Sequence, residues 1–219
     1  MKSHDYTFKR RMAVSAVDAN TGSYNVYTET VSDPVKAVMS SSAIPFVFPS
    51  QEWTTPNKYF AIDGGSVWNL NLVSAVQRCR EIVDDDSKIT IDIITVHGGK
   101  HLGEWKNKNK AINNYLRFTD IKDYYDSKAD IWRFMQAFPN VNFRYLVEPS
   151  GKLPGGLDII KVDNKTVTWP CQVMGRKDGA DAVNKGEGKA FEEFSAWMLE
   201  NEQELKGPSK TLDLEFLQE

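Results

Sequence analysis

The sequence predicts a mixed α/β fold, a layered α/β/α domain with a central, partly parallel sheet. Short β-rich runs alternate along the chain with segments of helical periodicity, which is the pattern of such a fold. Residues 89–96 are nearly all β-branched or apolar, as is typical of a strand covered on both faces. With 219 residues, of which 41 % are hydrophobic, the chain can also bury a substantial core.

The first half of the chain predicts a hairpin, a helix, a strand and a second helix. Asp33 and Pro34 mark a helix start, because Asp accepts backbone N–H groups as an N-cap and Pro already has the φ of the first helical position. Pro45 cannot continue a helix, so this helix is short. The predicted strands cover residues 11–18, 24–30 and 58–62, and the predicted helices cover residues 34–41 and 71–83.

The second half predicts one buried strand, one long helix, a second strand and a terminal helix. The long helix should break around residues 120–123, and a Pro/Gly-rich loop should run through Gly156. We expect residues 1–206 to form one domain and residues 207–219 a peripheral tail. The predicted elements are a strand at 89–96, a helix at 108–138, a strand at 142–147, a hairpin or edge segment at 157–169 and a helix at 186–205.

Composition and charge exclude several classes of protein. The chain has 27 Lys and Arg against 30 Asp and Glu, so it lacks the basic surface that general nucleic-acid binding needs. No run approaches the ~20 apolar residues of a transmembrane segment, and residues 1–11 show no signal peptide. Cys79 and Cys171 are too few for a disulfide framework, and we expect two thiols rather than one bridge. The compartment stays open.

Asp63, Gly64 and Gly65 follow a predicted strand, where α/β folds carry their chemistry. A carboxylate there is held by a rigid element, and the glycines let the backbone approach a neighbour closely or take positive φ. Asn69 precedes the next helix and could cap or orient the turn. Taken alone, Asp-Gly-Gly is more often a simple turn than a catalytic site.

Three motifs together resemble the patatin-like phospholipase family. Their order and spacing agree with the family from residue 14 to about residue 96, residues 142–149 look like a late strand of its domain, and the rest is looser. Residues 37–49 resemble the family segment A-x-x-A-S-x-A-I-P-x-x-F-x-P. Residues 59–65, followed by Asn69, resemble the aspartate motif D-G-G/A with its downstream asparagine. Asp18, Thr21 and Gly22 match the family motif D-x-x-T-G.

The resemblance implies the C-terminal part of a patatin-like domain, a hydrolase of lipid metabolism and lipid degradation that uses a serine–aspartate dyad and no cofactor. By the family pattern Asp63 is the general base, with Gly64, Gly65 and Asn69 supporting the motif. The nucleophilic serine would lie upstream in a G-x-S-x-G elbow, near a Gly-rich loop that stabilises the oxyanion. No G-x-S-x-G occurs in this chain, so we expect it to begin in the middle of the fold and to contain no nucleophile.

Three interpretations stay open. The chain could supply the aspartate of a lipid acyl hydrolase whose serine lies in a missing N-terminal half or in another polypeptide. It could be a pseudoenzyme, retained as a structural or lipid-binding subunit of a larger assembly. An internal serine could also act, although Ser40, Ser41 and Ser42 should bond the backbone at a helix end and Ser66 is too close to Asp63 in sequence. Since missing strands would leave an open sheet edge, we expect a protein partner there, beside the lipid or acyl-ester substrate.

The remaining candidate sites favour structural interpretations. His97 and His101 flank two glycines and should form a polar loop rather than a zinc site, and Asp84 to Asp86 lack the spacing of a calcium loop. No metal site is predicted. Among the aromatic residues, Phe46 and Phe48 should pack in the core, Trp53 and Trp68 could line an acyl-chain groove or the core, and Trp132, Phe134, Met135 and Phe138 should form a buried helix face rather than a membrane-facing patch.

Overall fold

Residues 8–96, 102, 105, 110–151, 153 and 165–205 are described by a computed structural model, without the side chains of 202–205. The chain divides into two compact units, the first of residues 1–89 with 154–168 and the second of residues 90–153 with 169–219. The predicted tail and the histidines at 97 and 101 lie outside the described residues. The elements are β1 Ala13–Asp18, β2 Tyr24–Thr28, α1 Pro34–Ser41, β3 Gln51–Trp53, β4 Tyr59–Asp63, α2 Leu72–Arg80, β5 Thr90–Ile94, α3 Ala111–Ala137, β6 Asn142–Val147, α4 Lys165–Lys185 and α5 Lys189–Leu205.

The mixed α/β class is confirmed, but the described strands form two small sheets. The first unit contains an antiparallel sheet of order β2-β1-β4-β3, and the second contains the parallel pair β5-β6. The antiparallel arrangement follows from the tight turn between β1 and β2, because such a turn can only join antiparallel strands. Parallel pairing, which we expected in one central sheet, is observed between β5 and β6 alone among the described strands.

The predicted hairpin of β1 and β2 is confirmed together with its turn chemistry. The Asp18 carboxylate accepts the backbone N–H of Asn20 and the hydroxyl of Thr21, both at 2.8 Å. Gly22 has φ +75°, a conformation that favours glycine. The D-x-x-T-G motif is therefore the turn of this hairpin.

Helix α1 begins and ends where the sequence predicts. Asp33 accepts the backbone N–H of Lys36 at 2.9 Å, and Pro34 occupies the first turn. On its inner side Ala37 and Ser40 are fully buried. The helix thereby covers the core of the first unit, which is built from Ala16, Tyr27, Ala37, Trp53 and Ala61.

Aromatic stacking dominates that core. Trp53 lies between Tyr27 and Tyr59, with ring centroids 4.9 and 6.2 Å away. The indole N–H of Trp53 donates to Ser40 Oγ at 2.9 Å, so the buried donor is satisfied. Burial and the hydrogen bond with Tyr59 raise the pKa of Tyr27 well above its usual range. Trp53 is thus a core residue and does not line a groove.

The core of the second unit lies between its sheet and two helices. Phe143 of β6 contacts Phe134 of α3 and Phe191 of α5, with ring centroids 5.6 and 5.3 Å apart. Ile131 and Phe134 of α3 are buried, while Trp132, Met135 and Phe138 are partly covered. Of the four residues predicted to form a buried helix face, Phe134 is buried and the other three are half-buried.

Four local predictions are wrong. Strand β5 alternates, with Ile91 and Ile93 buried but Ile94 69 % exposed, so only one face is covered within this unit. Helix α3 has no break, because residues 120–123 contain no Pro or Gly and the ion pair of Lys122 with Asp126 spans one helical turn.

The other two errors concern a loop and a helix. Phe46 and Phe48 are not core residues: Phe46 is fully exposed with φ +69°, and Phe48 is 48 % exposed. Residues 165–169, expected at a sheet edge, begin helix α4, whose first turns contain β-branched residues and Pro170. The rest of the predicted edge segment, 157–164, lies outside the described residues.

Cys79 and Cys171 are two thiols and form no disulfide bridge with each other, as predicted. Among the residues that the structure describes, no helix has the length and apolar character needed to span a membrane.

Candidate functional site

Asp63 is the last residue of β4, and the sheet fixes its position. In the antiparallel register Ala16 of the central strand β1 lies opposite Asp63. The backbone N–H of Asp63 donates to the carbonyl of Ala43 at 3.0 Å. Ala43 belongs to the segment that follows α1, so one hydrogen bond joins two of the motifs on which the family resemblance rests.

The Asp63 carboxylate begins a short turn. Oδ1 accepts the backbone N–H of Gly65 at 2.7 Å, and Gly64–Ser66 form one turn of 3₁₀ helix. An acidic residue at this position satisfies an otherwise unpaired N–H group. The residue is partly exposed, and this hydrogen bond holds the carboxylate against the turn.

Gly64 packs directly against strand β1. A Cβ atom at this position would lie 2.5 Å from the carbonyl oxygen of Ser15 and 2.6 Å from its hydroxyl oxygen. Neither distance is possible for a real side chain, and the carbonyl belongs to a strand paired on both sides. Only glycine fits at position 64, because the backbone there lies so close to Ser15 of β1. Close backbone approach is one of the two roles that the sequence predicted for these glycines.

Gly65 and Asn69 lie side by side on the outer surface of the turn. A Cβ on Gly65 would lie 3.1 Å from Asn69 Oδ1 and 3.0 Å from Asp63 Oδ1. Asn69 is exposed. The N-cap of α2 is Asn71, whose side chain accepts the backbone N–H of Ser74, so the possible capping role of Asn69 belongs to Asn71 instead.

Ser15 and Tyr24 adjoin this turn and were not singled out from the sequence. The Tyr24 hydroxyl donates to Ser15 Oγ at 2.6 Å, and its ring packs edge-on against Trp68 at 5.0 Å between centroids. Burial raises the pKa of Tyr24, the hydrogen bond with Ser15 opposes this shift, and the negative charge of Asp63 adds to the rise. Tyr24 therefore joins Ser15 and Trp68 beside the Asp63 turn.

Only the strand register could have revealed these two residues. Ser15 lies opposite Val26, so Tyr24 is its diagonal neighbour on the same face of the hairpin. A pattern of alternating residues predicts the strands but not which residue faces which across the turn.

Two of the serines that could act as internal nucleophiles, Ser40 and Ser42, use their hydroxyls in hydrogen bonds to the helix backbone. Ser40 is fully buried, donates to the Lys36 carbonyl at 2.8 Å and accepts the Trp53 indole. Ser42 donates to the Val38 carbonyl at 2.8 Å. The prediction that serines at this helix end bond the backbone is confirmed for both. Ser66 is exposed in the turn after Asp63.

The acidic run at residues 84–86 forms local ion pairs and a cap. Asp86 receives two hydrogen bonds from Arg80, at 2.8 and 2.7 Å, and Asp85 accepts the backbone N–H of Ser87. Asp84 pairs with Lys88 at 3.2 Å. Within the described part of the chain, no group of His, Cys, Asp and Glu side chains has a geometry that could hold a metal ion.

Exposed apolar side chains flank the aspartate in sequence on both sides. Phe46 and Phe48 follow Ala43, whose carbonyl bonds Asp63, and Val67 and Trp68 follow the 3₁₀ turn. A carboxylate can act as a general base only where the group that gives up its proton lies within hydrogen-bond reach.

No known protein-family model matches this chain, and no curated protein matches it in sequence.

Proposed function

We propose that this chain supplies the general base, Asp63, of a patatin-like lipid acyl hydrolase. The main support for this proposal is that hydrogen bonds hold both the backbone and the side chain of Asp63. Its backbone N–H donates to Ala43 in the preceding motif at 3.0 Å, and its carboxylate accepts the Gly65 N–H at 2.7 Å. Two segments that resemble the same family are thus joined at the residue that the family uses as a base.

The proposed reaction is ester hydrolysis by a serine–aspartate dyad. Asp63 accepts the proton of a serine hydroxyl as the oxygen attacks the ester carbonyl, because serine is a weak nucleophile until its proton has an acceptor. The serine and the backbone donors for the oxyanion lie on a segment or polypeptide that bears the G-x-S-x-G elbow. Asp63 then gives this proton to the departing alcohol, which leaves the acyl-enzyme behind. As a carboxylate again, it takes a proton from the water that attacks the acyl-enzyme, and the fatty acid is released as the serine regains its proton.

Exposed apolar side chains support a lipid or acyl-ester substrate. Phe46, Phe48, Val67 and Trp68 present apolar surface to solvent in the segments that adjoin Asp63. Apolar walls with few polar groups are what an acyl chain requires. Phe46 also holds a positive φ while fully exposed, a combination that folding alone does not favour.

The proposal includes a partner that completes the layered α/β/α domain. Strand β5 pairs with β6 and leaves Ile94 and Val96 69 % and 61 % exposed. A two-stranded sheet with an exposed apolar face is marginally stable by itself. A partner segment that covers this face and extends the sheet would stabilise the second unit. If the isolated chain is a monomer with a single two-state melt, this part of the proposal is wrong.

The alternative proposal is a catalytically inactive, patatin-like structural or lipid-binding subunit. It is favoured by the serines of the chain: no G-x-S-x-G occurs, and the hydroxyls of Ser40 and Ser42 are used in helix hydrogen bonds. In that case Asp63 only caps its turn.

A fluorophosphonate serine probe separates the two proposals. The protein is purified under native conditions with any bound chains, treated with the probe, and the label is located by mass spectrometry. A label on a co-purifying chain supports the split dyad. A label on Ser66 or on Ser40 to Ser42 would make an internal serine the nucleophile. No label, together with no hydrolysis of a short-chain ester, would support the inactive subunit.

A further inference from the structure

The second unit contains a half-open cavity of about 320 Å³, and none of its lining residues belongs to the Asp63 turn. Its walls come from α3, from β6 and the residues after it, from α4 and from α5. The volume is at the lower end of the range for small-molecule sites, which is about 300–1,000 Å³. The lining includes Lys128, Glu148, Asp178, Glu193, Phe194 and Trp197.

Among the residues that the structure describes, the charged side chains that line the cavity form ion pairs, except for Asp178. The cavity is lined by four carboxylates and two lysines, so its wall carries an excess of negative charge. Three of the four carboxylates have a lysine partner. The pairs are Lys128 with Glu148 at 3.3 Å, Lys177 with Asp181 at 2.5 Å, and Lys185 with Glu193.

Asp178 is the exception. It is only 7 % exposed, and its Oδ2 accepts the backbone N–H of Ser150 at 2.9 Å. In the part of the chain that the structure describes, Asp178 forms no ion pair. Burial of a carboxylate is costly, because one hydrogen bond does not replace the solvation of the charge. Lys177, whose charge interacts with Asp178, is itself paired with Asp181. One positive charge beside Asp178 would remove this cost.

The aromatic side of the cavity already accommodates a cation. The Lys128 ammonium lies 5.0 Å from the ring centroid of Trp197 and 5.8 Å from that of Phe194. Such rings attract cations through their negative faces. Glu148 pairs with Lys128 at 3.3 Å and offsets its charge.

We propose that this cavity binds a small organic monocation, with its ammonium group beside Asp178 and its carbon atoms against Trp197. A metal ion fits less well, because hard cations need six or more oxygen ligands and no described group of acidic residues, histidines or cysteines could hold one. An anion would meet the excess of carboxylates. The site is independent of the proposed hydrolase chemistry.

The test compares choline with its neutral carbon isostere, 3,3-dimethylbutan-1-ol, by isothermal titration calorimetry on the full chain. We expect choline to bind with a Kd of about 1 mM or tighter, and the alcohol to bind at least tenfold more weakly. Asp178→Asn keeps the shape of the side chain and an acceptor for Ser150, and it should weaken choline binding by about tenfold or more.

The control variant is Asp126→Asn, which removes an exposed carboxylate that is paired with Lys122 and does not line the cavity. It should leave choline binding unchanged. Trp197→Leu should weaken binding several-fold through loss of the ring face. Melting curves show whether each variant is folded.

Three outcomes would overturn the proposal. Equal binding of choline and the alcohol would show that the cavity binds its ligand through apolar contacts alone and does not recognise the positive charge. Unchanged choline binding in a folded Asp178→Asn would show that Asp178 does not hold the cation. Displacement of choline by an equal concentration of KCl would show a nonspecific effect of charge.

Discussion

Replacing Gly64 by alanine tests how the Asp63 turn packs on the sheet. The new Cβ would lie 2.5 Å from the Ser15 carbonyl oxygen and 2.8 Å from its carbonyl carbon. Ser15 is paired with Val26 of β2, and the pairing of β1 with β4 begins at the next residue, Ala16. The Ser15 carbonyl can therefore retreat only if the β1–β2 pairing shifts. Overpacking of this kind costs about 1–3 kcal/mol, equivalent to a fall in Tm of about 2–12 °C for a chain of this size.

Gly65→Ala is the matched control in the same turn. The nearest contacts of its Cβ would be with side-chain oxygens, Asp63 Oδ1 at 3.0 Å and Asn69 Oδ1 at 3.1 Å. The exposed Asn69 side chain can move, and the Asp63 side chain need give only a few tenths of an ångström. We expect it to change the free energy of unfolding by less than about 1 kcal/mol. Urea unfolding followed by circular dichroism measures both variants.

The double variant Ser15→Ala with Gly64→Ala identifies the obstructing atom. It removes the hydroxyl contact at 2.6 Å but leaves the carbonyl contact, so stability should not return. If Gly64→Ala is as stable as Gly65→Ala, or if Ser15→Ala restores it, then the backbone of the turn does not pack on β1 as described.

Three further perturbations follow from single interactions. Asp33→Ala removes the N-cap of α1 and should cost about 0.5–2 kcal/mol in urea unfolding, whereas Asp33→Asn should cost far less. Ser40→Ala leaves the buried indole N–H of Trp53 without its acceptor, at a cost of about 1–3 kcal/mol. The hydrogen bonds from Arg144 hold the pKa of Asp92 below its usual range. This stabilisation is complete above the ordinary Asp pKa of about 3.9 and is lost as pH falls through the lower folded value.

Each of these predictions has a contradicting result. An Asp33→Ala variant as stable as wild type would show that the cap does not hold α1. A stable Ser40→Ala variant would mean that the Trp53 indole finds another acceptor. For Asp92, unfolding is followed between pH 5 and pH 2, and an Asp92→Asn variant with the same acid dependence as wild type would show that its pair with Arg144 does not contribute.

Local sequence chemistry predicted the elements whose signals lie within a few residues. Asp33 and Pro34 start α1 because capping and φ restriction act on neighbouring backbone groups. The turn at Asp18 and Gly22 follows from the same kind of local chemistry. The position of Asp63 at a strand end could be predicted for this reason too.

The missed features depend on tertiary contacts. Strand β3 has three residues and exists through its pairing with β4. Ser15 and Tyr24 join the Asp63 turn only through the register of the hairpin. The start of α4 combines residues of high β propensity with Pro170, and tertiary context overrides such propensities. The spacing of apolar residues along the sequence does not predict any of these three features.

Hydrolysis of a short-chain ester by Asp63→Asn is the most direct test of the proposed dyad. The variant and the wild-type chain are purified under native conditions with any bound partner, and Asp84→Asn, which removes an exposed carboxylate that pairs with Lys88, is the control. Asparagine preserves the acceptor for the Gly65 N–H but cannot take a proton, so the rate should fall by about 10²–10⁴-fold while the control keeps its activity. Wild-type material without hydrolysis, or an Asp63→Asn variant as active as wild type, would contradict the role of Asp63 as the general base.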